Sequence, residues 1–129
     1  MLVTDRTFAS ECERIDRADR ATIDIESTGL DPYVAGDRAV GVAVETGGRA
    51  VYFPCRHGSG GNLPDGSLDK LLRALRGKVL GGWNVRYDLT VLSFEPEGYW
   101  CLSPDVEVED GIIDALLTNE NEPSFSLEA

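Results

Sequence analysis

The period of the apolar residues changes partway along the chain, and that change constrains the fold more than any other feature. Ala21-Thr22-Ile23-Asp24-Ile25-Glu26 alternates apolar with polar, and Val40, Val42 and Val44 repeat the alternation. A period of two turns one side of a strand toward a core and the other toward solvent. Gly47-Gly48 separates the second run from a third, Ala50-Val51-Tyr52-Phe53, which predicts a hairpin turn and a three-stranded antiparallel meander. Beyond it the spacing lengthens to three and four. Leu68, Leu71, Leu72 and Leu75 form a helical stripe, with Ser67 as its expected cap and Gly77 as its stop. Val79 to Trp83 reads as a short buried strand, and Asn84 to about Ser93 as a helix with Val85, Leu89 and Leu92 inward. Before the meander, Phe8, Cys12 and Ile15 share one face of a helix expected from Thr7 to Asp19. After the second helix, Glu95 to Pro104 reads as a connection and Val106 with Val108 as a last short strand. A helix is then expected from Asp110, with Ile112, Ile113, Leu116 and Leu117 on its buried side, followed by loop and a first helical turn at Ser126–Ala129. A meander followed by α/β units implies one mixed sheet in an α/β domain.

Composition narrows the function classes. A chain of 129 residues with 42% hydrophobic content has room for one domain with a core. Its apolar runs are too short to span a membrane, and its first residues lack a signal-peptide core. Cys12, Cys55 and Cys101 are widely spaced and odd in number, so free thiols in a reducing cytoplasm are expected. Cys55 and His57 alone do not complete a zinc site. A net charge of −11 argues against a broad basic face that coats duplex DNA. It leaves room for an enzyme that grips a few nucleotides through bound Mg²⁺ and stacking. The glycine-rich stretch from Arg56 to Gly66 lacks the lysine-serine or lysine-threonine ending of a phosphate-binding loop, so a flexible loop is expected there.

Asp24 and Glu26, two apart on a strand, project to the same face, with Ile23 and Ile25 on the other. Neighbouring carboxylates repel and tend to retain a proton, and a divalent cation removes that repulsion. Hard oxygen donors suit Mg²⁺ or Mn²⁺. Gly82-Trp83-Asn84-Val85-Arg86-Tyr87-Asp88 runs from a buried strand into a helix. With Asn84 as N-cap, Asp88 falls one turn along, where it can face the strand end that displays Asp24 and Glu26. The plain alternatives are two ordinary charges on a strand, a cap, and a favourable charge near a helix start.

These residues resemble a family. Asp24-Ile25-Glu26-Ser27-Thr28-Gly29-Leu30-Asp31 is similar to the first motif of the DEDD-type 3′–5′ exonucleases, and Gly82-Trp83-Asn84-Val85-Arg86-Tyr87-Asp88-Leu89 to the second. Asp110 to Leu117 and Pro123 to Leu127 resemble the following stretch in the proofreading domains of family-A DNA polymerases and in ribonuclease D. The resemblance implies a ribonuclease-H-like fold and a two-metal hydrolysis of phosphodiester bonds at the 3′ end of single-stranded DNA or RNA. Asp24, Glu26 and Asp88 would be the catalytic carboxylates and hold two Mg²⁺ or Mn²⁺ ions. Thr28, Gly29 and Leu30 would lie along the terminal nucleotide, and Asn84 and Tyr87 would contact the strand. Tyr87 could equally be a core aromatic with its hydroxyl at the rim, and Asp110 is expected as a helix N-cap.

The family's third motif, a tyrosine or histidine four residues before a fourth aspartate, has no counterpart after Asp88. Tyr33 and Asp37 have that spacing but fall in the loop after the first motif. The expectation is therefore one partial, C-terminally truncated exonuclease domain over residues 1–129, completed by a polymerase domain or a second chain. The alternative is a catalytically incomplete module of the same fold that binds single strands or a polymerase partner without turnover. Asp24-x-Glu26-x-Thr28 also resembles the nucleophile motif of haloacid-dehalogenase-type phosphatases. That family has aspartate in place of Glu26 and a serine or threonine where the Val79–Trp83 strand leads into Asn84.

Overall fold

The computed structural model describes residues 1–29 and 31–111. The predicted helix beyond Gly111, the segment after it and Leu30 lie outside the described residues. Helix α1 spans Phe8–Arg17, and strands β1, β2 and β3 span Arg20–Ser27, Ala39–Thr46 and Arg49–Pro54. Helix α2 spans Ser67–Leu75, β4 Val79–Gly82 and α3 Val85–Leu92. A 3-10 helix, Pro96–Leu102, precedes β5, Val108–Asp110.

The sheet order is β3-β2-β1-β4-β5. The hairpin pairs β2 with β3 antiparallel, and β1 joins β2 the same way. On its other side β1 takes β4 in parallel, and β4 takes β5 in parallel. A parallel neighbour cannot follow a tight turn, so the chain crosses over through α2 between β3 and β4 and through α3 between β4 and β5. This is the mixed sheet of a ribonuclease-H-like fold, and it makes β1 central.

Alternation sets the core. Ile23 on β1, Val42 and Val44 on β2 and Phe53 on β3 are buried, as are Leu71, Leu72 and Leu75 of α2. The two helices α1 and α2 pack together over this layer. Two charged side chains, Glu11 and Lys78, fasten α1. Glu11 is buried and sits 2.7 Å from both Arg14 and Arg49, whose guanidiniums, Arg49 foremost, hold its carboxyl below the usual range. Lys78 donates to the carbonyls of Asp16 at 2.8 Å and Ala18 at 2.6 Å, closing the last turn of α1 with a positive charge.

Three local expectations change. Gly66, in the left-handed region at φ 87°, is the N-cap of α2, and Ser67 is its first residue. Asn84 does stand at the N-cap of α3, but its side chain makes no capping hydrogen bond. The stretch expected as a plain connection contains the 3-10 helix, which buries Trp100 and Cys101. Its Gly98 lies so close to the Leu92 carbonyl that a side chain would not fit.

Candidate active site

Asp24 and Glu26 are both exposed, while Ile23 is buried and Ile25 half-buried, so alternation along β1 presents the two carboxylates on one side. Beyond β4 the chain turns sharply into α3. Asn84 makes that turn in the left-handed region, at φ 58° and ψ 44°, where asparagine is better tolerated than most residues. Its backbone N–H donates to Asp110 Oδ1 at 2.9 Å. An acidic side chain from β5 thus satisfies the start of α3 in place of a cap from the helix's own sequence.

This turn sets Asp88 in the first turn of α3 and buries it, with 6% of its surface exposed. Its carboxyl is pushed up to about 7, mainly by burial and then by the charges of Asp24 and Asp110, with a backbone hydrogen bond from Ile25 working the other way. One of its oxygens, Oδ2, is buried without a hydrogen-bond partner. A buried carboxylate oxygen without a donor is costly. A divalent cation beside that oxygen would satisfy it and offset the charge of Asp24.

Glu26 is held differently. The Tyr52 hydroxyl lies 3.3 Å from Glu26 Oε2 and 2.5 Å from His57 Nε2, and His57 Nε2 is 3.9 Å from the same carboxylate oxygen. Burial, followed by the negative charge of Glu26, pushes the Tyr52 hydroxyl up to about 12, so it keeps its proton at neutral pH. Among the described residues, no group of three or more His, Cys, Asp or Glu side chains is gathered closely enough to form a metal shell. The charge of Asp24 acts on Asp88, whereas Glu26 meets Tyr52 and His57.

The loop after β1 is anchored from within. Asp37 accepts from the Thr28 hydroxyl at 3.0 Å and from the Asp31 N–H at 2.9 Å. The Thr28 hydroxyl in turn accepts from the Arg38 N–H at 3.1 Å. Gly29 lies against Asp37, where a Cβ would come within 2.5 Å of Oδ2. Tyr87 donates to the Gly29 carbonyl at 3.1 Å and so joins the two motifs directly. Asn84 is exposed beside them.

The donor set fits a hard divalent cation: oxygen ligands only, one of them buried with its acceptor capacity unused. Asp24, Glu26 and Asp88 would hold such ions. Sequence reasoning missed Tyr52, weighed His57 only as half of an incomplete zinc site, left Asp37 in a loop and gave Asp110 only as a helix N-cap. The first was the most legible, because Asp24 pairs with Ala43 and Ala43 with Tyr52, which places Tyr52 on the same side of the sheet as the carboxylates.

No family model and no curated protein matches the sequence. Solved structures do. Brucella melitensis NrnC with bound Mg²⁺ is 26% identical, covering 86% of this chain and 50% of that one at a TM-score of 0.57. NrnC bound to pGG is 24% identical, with the same coverage and a TM-score of 0.56. Escherichia coli RNase D, an exoribonuclease involved in structured RNA processing, is 17% identical, covering 89% of this chain and 28% of that one at a TM-score of 0.53. Pol1 from M. smegmatis, solved with DNA primer-template and dNTP, is 17% identical, covering 97% of this chain and 20% of that one at a TM-score of 0.65. The chain spans about half the length of NrnC. With its meander, its parallel strands and its carboxylates on β1 and α3, the chain has the ribonuclease-H-like fold of the DEDD 3′–5′ exonucleases.

Proposed function

We propose that this chain is a metal-dependent 3′–5′ exonuclease domain acting on the 3′ end of single-stranded nucleic acid, with Asp24, Glu26 and Asp88 as its metal-holding carboxylates. The observation that carries this reading is Asp88, a carboxyl with an unpartnered oxygen, raised in pKa first by its burial and then by the charge of Asp24. A pair of divalent ions would supply a hydroxide-forming site and stabilise the departing 3′ oxygen. The chain's own residues prepare that site. Asp24 on β1 acts on Asp88 of α3 through its charge, and Asn84 and Asp110 fix where the helix starts. Tyr87 holds the Gly29 carbonyl beside α3, and the resemblance assigns Thr28, Gly29 and Leu30 to the terminal nucleotide. NrnC binds Mg²⁺, and the same chemistry is assigned to this chain on the likeness of fold and carboxylates.

A proofreading role beside a polymerase domain is the finer form of the proposal, supported by the likeness to Pol1. Free Cys12, Cys55 and Cys101 are in keeping with a cytoplasmic setting. The alternative, a module that binds strands without turnover, draws on the lack of a closed three-ligand group among the described residues, where Glu26 is engaged by Tyr52. One experiment separates them. The chain is incubated with 5′-labelled single-stranded DNA and RNA in Mn²⁺, with Asp88→Ala as control. Stepwise shortening from the 3′ end that the variant lacks supports the nuclease. Metal-dependent retention of the strand without shortening supports the module, and neither outcome rejects both.

A further inference from the structure

The glycine-rich segment after β3 and its histidine have no part in the reading above. The structure carries His57 to the carboxylate of Glu26 through one intermediate, Tyr52. Glu26 pairs across the sheet with Gly41, the one glycine of β2. A Cβ at Gly41 would overlap the Tyr52 hydroxyl. The missing side chain is therefore what lets the phenol cross β2 and come within 3.3 Å of Glu26 Oε2. His57 is secured where it meets the phenol. Its backbone N–H donates to Asn62 Oδ1 at 2.7 Å, and the Asn62 side-chain amide donates back to the His57 carbonyl at 2.8 Å. The loop is thus stapled at the residue that matters.

The direction of the contacts follows from the proton count. A carboxylate only accepts, and a phenol has one proton to give. For Tyr52 to hydrogen-bond Glu26 it must spend that proton there, so His57 Nε2–H must be the donor to the phenol oxygen at 2.5 Å. We propose that Tyr52 and His57 are positioning residues for Glu26. Together they hold one carboxylate oxygen in a fixed orientation and leave the other for a divalent cation. Outer partners of this kind orient a metal ligand, and losing them costs roughly 10- to 100-fold in metal affinity. The assignment rests on the exonuclease reading and adds residues that neither sequence motif contains.

The test is Mn²⁺ binding by the 129-residue chain, followed by electron paramagnetic resonance of free Mn²⁺, with Asp24→Asn as reference. Wild type should bind and Asp24→Asn should not. Tyr52→Phe, which keeps the ring over Gly41, and His57→Leu should each weaken binding roughly 10-fold or more. The double variant should bind no more weakly than Tyr52→Phe, because both residues act through one hydroxyl. His57→Gln, which retains an amide donor, should recover most of the affinity. Purely structural roles predict none of this non-additivity or rescue. Wild-type affinity in both Tyr52→Phe and His57→Leu, with Asp24→Asn still inactive in binding, would overturn the positioning assignment and leave the exonuclease reading intact. Independent, additive losses would also overturn it, and a wild-type chain that takes up no Mn²⁺ would remove both.

Discussion

At the scale of single residues, Asp88 carries the most information. Its carboxyl titrates near 7 in the folded chain, against an ordinary value of 3.8. The folded state therefore binds the proton more tightly than the unfolded state between those limits. Stability from this group is complete below about pH 4 and is lost as pH rises through about 7. Without metal, wild type should become less stable across that window, and Asp88→Asn should escape the loss. The gap between them, read from urea melts in EDTA from pH 4 to 8, should widen to about 2–4 kcal/mol at the upper end. A constant gap would mean that Asp88 is not the group paying for its burial. Asp24 gives a companion prediction. Millimolar Mg²⁺ or Mn²⁺ should raise the melting temperature of wild type by mass action, and Asp24→Asn should abolish the rise. An undiminished rise in that variant would place the ions elsewhere on the acidic surface.

At the scale of elements, the segment between β3 and α2 is fastened to the end of α3 by one ion pair. Arg56 donates to both oxygens of Glu95, at 2.8 and 2.6 Å, and also to the Ala39 carbonyl at 2.9 Å. The Glu95 side chain is nearly fully buried, whereas Arg56 is half exposed. Arg56→Met removes the donors and leaves a buried carboxylate unpaired, which should cost about 2–3 kcal/mol in urea denaturation. A loss below about 0.5 kcal/mol, the range of surface substitutions, would show that water replaces the guanidinium. None of this was legible beforehand, because Arg56 and Glu95 are far apart in sequence and lie outside any periodic run. The meander was legible in advance, since β1, β2 and β3 advertise themselves by alternation and by Gly47-Gly48. The 3-10 helix was not, because Pro96 and Gly98 read as breakers. Trp100 and Cys101 are drawn inward by neighbours on α2 and α3 rather than by their own spacing.

At the scale of the whole molecule, the net charge of −11 sets the terms of any encounter with a nucleic acid. An anionic chain repels a phosphate backbone. Divalent ions at the carboxylates would neutralise part of that charge where the strand must sit. Binding of a fluorescent single-stranded oligonucleotide should therefore be undetectable in EDTA and appear with Mn²⁺. It should be lost again in Asp24→Asn. Binding of equal strength in EDTA would point to a different interface. Among the described residues no helix is long and apolar enough to cross a membrane.

The sequence by itself determined the strand alternation, the placement of Asp24 and Glu26 on one side of β1, and the two motifs that resemble an exonuclease. Each is a local property, readable from spacing because side chains alternate on a strand and recur by turns on a helix. The tertiary structure decided what those residues meet. It brought Asp110 from β5 to the backbone of Asn84, left Asp88 Oδ2 buried without a donor, and laid Tyr52 across Gly41 to reach Glu26. Such encounters join positions far apart in sequence, and their energies depend on burial and on neighbouring charge, which exist only once the sheet has formed.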